Sequence, residues 1–290
     1  MEISTFLAQC LNAVQYGLLL FLVASGLTLI FGIMGVINLA HGSFYMIGAY
    51  MAWSLAPLFG DQFVLQLLAG VVLAALLGFV LEWAFFSYLY QRDHLQQVLM
   101  TYALILVFEE VRGLLAGNDV HGVTVPPWLS GSVALGDLMS YPVYNLFASG
   151  ACLLVAVGLY WVVNRTRLGM MIRAGASNRD MVRGLGINIG LLYRVVFAAG
   201  VALAALAGMI AAPMTSVYPG MGGQILIICF VVVVIGGIGS ISGALIASLL
   251  VGFVDTFGKV LFSQFSGLSI YLLMALILVW RPQGLKNKGY

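Results

Sequence analysis

The chain has 290 residues, of which 62% are hydrophobic and 8% charged, and its mean hydropathy is +1.09. Soluble domains carry roughly a quarter charged residues, so the composition excludes a globular domain with one anchor and points to a polytopic membrane protein. A formal net charge of +2 gives no signal for a nucleic-acid partner.

In chain order the apolar segments are Phe6 to Phe31, Leu39 to Leu58, Phe63 to Tyr90, Leu95 to Leu115, Val143 to Val163, Gly190 to Pro213, Gln224 to Ile235, Ile241 to Gly258 and Phe262 to Trp280. A helix needs about 20 apolar residues to cross the hydrocarbon core. Most of these segments qualify; Gln224 to Ile235 is too short. The expected fold is an all-α polytopic membrane protein of eight or nine hydrophobic segments. Broken or half-helices near 32–43 and 236–243 give it a weak internal two-fold repeat, and residues 1–290 form one transmembrane domain. The N-terminus lacks the basic start of a cleavable signal peptide, so the first helix is expected to remain. Cys10, Cys152 and Cys229 lie inside apolar segments without metal-ligand spacing and read as small hydrophobes.

Orientation follows from Lys and Arg. Arg165, Arg167, Arg173, Arg179 and Arg183 crowd one loop, 165–188. Arg281, Lys286 and Lys288 follow the last segment, and Arg92 sits in a short connection, so all are assigned to the cytoplasm. The loop over 117–142 contains no Lys or Arg and is assigned outside. Parity then puts the N-terminus outside, provided the break at Asn38 does not add a full turn.

The stretch GIMGVINLAHGSFYMIGAY, Gly32 to Tyr50, interrupts the first apolar run with Asn38, His41 and Ser43 among glycines. At membrane depth such a break is tolerated only when packed in protein or lining a cavity. A second interruption, Gly236, Gly237, Gly239 and Ser240, follows a β-branched run. Interrupted helices in two halves point to a substrate site, because a half-helix aims free N–H groups and a positive dipole end into the bundle. The expected substrate path is Asn38, His41, Gly42, Ser43, Gly236, Gly237, Gly239 and Ser240, with Asn38 and Ser242 as helix caps. Against this stands the plainer reading, in which the glycines allow close packing and the polar side chains satisfy one another. Gly239, Gly243 and Ala247, and likewise Gly200, Ala204 and Gly208, are spaced four apart as helix-packing faces.

Intramembrane carboxylates are functional candidates by default. Glu82, Glu109, Glu110 and Asp255 lie near segment ends, however, and Glu109 can pair with Arg112; they read as structural. The one Gly-Lys pair, Gly258-Lys259, is not in a phosphate-binding loop. His41, His94 and His121 fall in three separate places, so no enzyme is expected.

The runs GLTLIFGIMGVINLAHGSFYMIGAYMA, LGMMIRAGASNRDMVRGLGIN and SVYPGMGGQILIICFVVVVIGGIGSISGALI, with the ending RPQGL, resemble the LivH-type permease subunit of branched-chain amino-acid ABC importers. The resemblance implies a multi-pass protein of the bacterial inner membrane that carries aliphatic amino acids. It implies a second, homologous permease, two cytoplasmic ATPase subunits that hold the ATP and Mg, and an extracytoplasmic substrate-binding protein. No cofactor is expected in this chain. In the basic loop, Ser177 or Asn178 can cap a short helix over Arg179 to Leu185. The resemblance makes Arg173, Ala174, Ser177, Asn178, Asp180, Met181 and Arg183 the ATPase-coupling surface; by themselves, the arginines need only set topology. The alternative function is a self-sufficient carrier or channel for a small polar solute, with His41, Glu82, Glu109 and Glu110 as a relay. Another alternative is a permease of the same type for a different amino acid, an amide or urea.

Overall fold

The computed structural model describes residues 3–90, 92–135, 139–261 and 266–286, so Lys288 and the start of the Phe262 to Trp280 segment lie outside the described residues. Its helices are α1 (Ile3–Met34), α2 (His41–Phe59), α3 (Phe63–Leu89), α4 (His94–Ala116), α5 (Val143–Arg165), α6 (Arg167–Ser177), α7 (Arg179–Gly184), α8 (Ile189–Thr215), α9 (Met221–Gly236), α10 (Ile241–Leu261) and α11 (Ser266–Trp280). Five of them, α1, α3, α5, α8 and α10, are long and apolar enough to cross a membrane. The chain is a multi-pass membrane protein. The loop over 117–142 departs from all-helical character: β1 (Ser132–Leu135) and β2 (Met139–Pro142) pair antiparallel, with Ala134 opposite Ser140.

Helix α1 has no charged residue and occupies the centre, packed against α10, α8, α5 and α9. Leu20, Leu22, Val23 and Ala24 have no exposed surface. The outer helices turn apolar side chains outward, as a lipid solvent allows: Leu68, Val72 and Leu76 of α3 and Leu154 and Val157 of α5 are exposed. With lipid as apolar as leucine, the interior is held by close packing of small residues and by hydrogen bonds. Gly48 of α2 lies against Ala205 of α8, Gly208 of α8 against Tyr45, and Gly243 of α10 against Gly236. The Gly200, Ala204, Gly208 face therefore serves two partners, meeting α1 at Gly26 and α2 at Tyr45.

Several boundaries differ from the sequence expectation. Helix α8 continues past Pro213 to Thr215, because a proline in the last turn leaves most of the ladder intact. Helix α9 is longer than its apolar run, at 16 residues or about 24 Å, still short of a hydrocarbon core of about 30 Å. The basic loop holds two helices, and the one after Asn178 ends at Gly184.

The ends of α1 fix its direction. Near its N-terminus Asn12 accepts a hydrogen bond from the Tyr141 hydroxyl of the hairpin at 2.8 Å, while at its other end the Met34 carbonyl accepts one from Arg179 at 3.3 Å. Helix α1 thus runs from the hairpin side to the basic side. The RPQGL ending folds back on α9: Leu285 N–H donates to Ile235 O at 2.8 Å, and Gly284 (φ 83°) lies against Gly237.

Candidate functional site

The first interruption is a re-entrant link. His41, the first residue of α2, donates from Nε2 to the Val23 carbonyl at 2.9 Å. Val23 lies eleven residues before the end of α1, about 16 Å along its axis. Residues 35–40, opening with Gly35 at φ 66°, therefore climb back from the basic side, and α2 starts inside the bundle. Asn38 does not cap α2: its Oδ1 accepts from Ala40 N–H at 3.0 Å, closing the turn one step earlier, and α2 has no side-chain cap. Gly42 meets Gly222, in the first turn of α9, backbone to backbone, so the two helices begin side by side. At this level Gly26 of α1 also touches Gly200 of α8; a Cβ on Gly26 would lie 2.5 Å from Gly200 O.

Asn38 and His41 have no exposed surface, and Ser43 has 4%. Asn38 Nδ2 and His41 Nδ1 lack a hydrogen-bond partner among the described residues.

The second interruption is built on glycines. Gly237 (φ 93°) and Gly239 (φ 79°) turn the chain between α9 and α10 in a conformation that side chains rarely adopt. The cap of α10 is Ser240, whose Oγ accepts from Gly243 N–H at 3.1 Å; Ser242 instead lines a cavity. Ser242 was the expected cap, but α10 starts two residues earlier than that reading requires.

Two cavities lie at opposite ends of α1, each walled by α5 and α10. The inner one, about 620 Å³, takes in Thr28 and Gly32 of α1, Asn164 of α5, Arg173 of α6, Gly239, and Ser242 of α10. The outer one, about 630 Å³, takes in Tyr16 and Leu19 of α1, Asn145 near the start of α5, and Lys259 near the end of α10. Between them, residues 20–27 of α1 form a sealed waist about 12 Å long, in which Leu20 to Ser25 and Leu27 are 2% exposed or less. The two interruptions share the inner cavity only through the start of the first, Gly32, and Gly239 of the second. Gly32 and Gly239 touch at the inner cavity, where a Cβ on Gly32 would lie 3.2 Å from Gly239 Cα. His41 reaches the waist at Val23 and Gly26, and Asn38, His41, Gly42 and Ser43 line neither of these cavities.

Along the basic loop the starts of α6, α7 and α8 are each capped by the preceding residue. Thr166 Oγ1 accepts from Gly169 N–H at 3.2 Å, Asn178 Oδ1 from Met181 N–H at 3.0 Å, and Asn188 Oδ1 from Leu191 N–H at 3.0 Å. Of the two caps anticipated for α7, Asn178 is the one formed. Arg173 donates to Val163 O at the end of α5, and Arg179 to Met34 O, so α6 and α7 hold the ends of two cavity-lining helices. Met181 (65%) and Leu185 (75%) project outward, and Ser177, Asp180 and Arg183 are also exposed. Ala174 is half-buried.

A family model described as "Branched-chain amino acid transport system / permease component" matches residues 9–280. The chain belongs to this permease family. The permease is 31% identical to the high-affinity branched-chain amino acid transport system permease protein BraD of Pseudomonas aeruginosa, over 99% of this chain and 97% of that one. Identity to the LivH permease protein of Escherichia coli K12 is 27%, over 98% and 96%. The LivM permease protein of the same organism is 26% identical, over 90% of this chain and 66% of its own. The solved PsaBC of Streptococcus pneumoniae in complex with Fab has a TM-score of 0.48 at 14% identity, over 93% and 89%.

Sequence reading missed two groupings in the permease. Glu82, 1% exposed, lies where α3 widens into a π-turn (Glu82–Phe86); it accepts from the Tyr90 hydroxyl at 2.7 Å and from Arg194 Nε of α8 at 3.2 Å. An arginine inside an apolar span was the available signal, since such a charge requires a partner. The second grouping is Asp255 with Lys259, 2.5 Å apart at the outer cavity. Glu109 pairs with Arg112 at 3.0 Å, as its spacing anticipated. Glu82, Glu109 and Asp255 thus each have a cation, and His41 is bonded to a carbonyl instead of joining them in a relay.

Proposed function

We propose that the chain is the permease subunit of an ABC importer for branched-chain, aliphatic amino acids in the bacterial inner membrane, residues 1–290 acting as one transmembrane domain. The observation that carries this reading is the pair of cavities at opposite ends of α1, separated by a sealed waist. Such a layout suits a solute admitted from one side and released on the other, and the relatives' names supply the substrate class. Extracytoplasmic binding protein delivers the solute to the outer cavity. Opening of the waist at Gly42 and its neighbours exposes the unpaired nitrogens of Asn38 and His41, together with Ser43, to the passing solute. It then reaches Gly236, Gly237, Gly239 and Ser240 at the inner end.

Energy comes from two cytoplasmic ATPase subunits that hold ATP and Mg and dock on α6 and α7 through Arg173, Ala174, Ser177, Asn178, Asp180, Met181 and Arg183. A second, homologous permease completes the membrane part, as the similarity to both LivH and LivM supports. The test is uptake of labelled leucine, phenylalanine and urea by the full complex reconstituted with its binding protein. ATP-dependent uptake of leucine over the other two is expected. Uptake by this chain alone, driven by a proton gradient, would overturn the proposal.

A further inference from the structure

The outer cavity contains one acid and one base among its described lining residues, Asp255 and Lys259, and they are adjacent. We infer that this pair receives the zwitterionic head of an α-amino acid, the Asp255 carboxylate holding its ammonium and the Lys259 ammonium its carboxylate. The inference rests on the proposed amino-acid transport and assigns the receiving site on the outer side.

Geometry and chemistry agree on this ligand. The Asp255 side chain is 8% exposed and that of Lys259 60%, so one charge is fixed in the wall and the other can swing over the cavity. Lys259 Nζ also stands 5.6 Å from the Tyr16 ring centre, which gives it a resting place facing α1. A zwitterion laid antiparallel to the pair places opposite charges next to each other at both ends. It need not break the existing contact. A singly charged solute would satisfy one member and repel the other.

Beyond the charged end, Leu19, Val125, Ala211 and Met214 offer an apolar wall for an aliphatic side chain. Part of the polar lining is already committed: Asn12 and Gln15 accept from Tyr141, and Gln15 donates to Met214 Sδ. Asp255 and Lys259 are the members of the lining that carry charge. The volume, about 630 Å³, lies within the roughly 300–1,000 Å³ of small-molecule sites.

The test is equilibrium binding of labelled L-leucine to the assembled complex in nanodiscs, without the binding protein. Saturable binding is expected, displaced by L-valine but not by leucinamide or 4-methylpentanoate, which each lack one charge. Asp255→Asn and Lys259→Gln should each weaken it at least tenfold, and Lys259→Arg should retain it, while all three assemble as the parent does on gel filtration. Leucine binding unchanged in both neutralised variants overturns the inference. So does an absence of saturable binding in a preparation that still imports leucine with ATP and the binding protein. A complete, active complex that imports no amino acid at all would instead remove the function on which the site depends, and the site with it.

Discussion

Replacing Arg194 with Gln removes one of the two donors to Glu82 and leaves a carboxylate that is 1% exposed with the Tyr90 hydroxyl alone. Two unit charges about 4 Å apart interact by about 4 kcal/mol at an effective dielectric of about 20. Arg194 is one-third exposed, so water screens part of that interaction, and a loss of about 2–4 kcal/mol remains, at the lower side of what breaking a buried pair costs. Glu82→Gln should cost less, about 1–2 kcal/mol. The amide still accepts from Tyr90, and the freed guanidinium can turn to water. The double variant should lose less than the sum of the two, because the orphaned carboxylate is gone. Thermal unfolding of the four proteins in nanodiscs, followed by size-exclusion fluorescence, reads the ordering; each kcal/mol moves the midpoint by roughly 2–4 °C for chains near this length. Equal, additive losses, or a larger loss for Glu82→Gln than for Arg194→Gln, would refute the reasoning.

Gly222→Ala puts a Cβ 2.8 Å from Gly42 O and should lower stability by about 1–3 kcal/mol and impair uptake, whereas Gly223→Ala, with nothing within 4 Å, should leave both unchanged in the same melting and uptake assays. Gly200→Leu, at a position where even a Cβ lies 3.0 Å from Gly26 O, should reduce the yield of assembled complex on gel filtration. Asn178→Ala removes the α7 cap and about 1 kcal/mol from that helix, and is expected to lower the uptake obtained per ATP hydrolysed. Arg173→Glu with Arg179→Glu should abolish co-purification of the ATPases; full co-purification and uptake would refute the docking role of α6 and α7.

The spans were legible because apolar length is a direct requirement of lipid. The Gly/Ser interruptions were visible as interruptions, yet their depth was not. Only the bond from His41 to Val23 shows that 35–40 doubles back, and a contact between residues 18 apart in chain order leaves no periodic trace. Cap positions slipped for the same reason: both Ser240 and Ser242 are reasonable caps by type, and the turn geometry set by Gly237 and Gly239 selects Ser240. Asp255 looked structural from its place near a segment end. Its partner Lys259 was noticed as half of a failed phosphate motif, and neither reading could place both on a cavity wall shared with four other helices.

The links between the basic side and the waist suggest how movement would travel in the proposed cycle. Arg179 of α7 holds the last carbonyl of α1, and Tyr193 of α8 donates to Ile33 O, one residue before it, at 3.4 Å. Tyr193 packs edge-on against Tyr90 at 5.0 Å, and Tyr90 donates to Glu82, which also holds Arg194. A displacement of α7 therefore acts on the end of α1 directly and on α3 through a chain of bonded side chains. The link 35–40 starts from that same end of α1 and carries α2, whose first residues close the waist against α9. Shifting α1 along its axis must then strain either the His41–Val23 bond or the Gly42–Gly222 contact, since both meet the first turn of one helix. In that proposed cycle the waist is where a push from the basic side would be converted into separation of backbones, because the Gly42–Gly222 and Gly26–Gly200 contacts there are backbone to backbone.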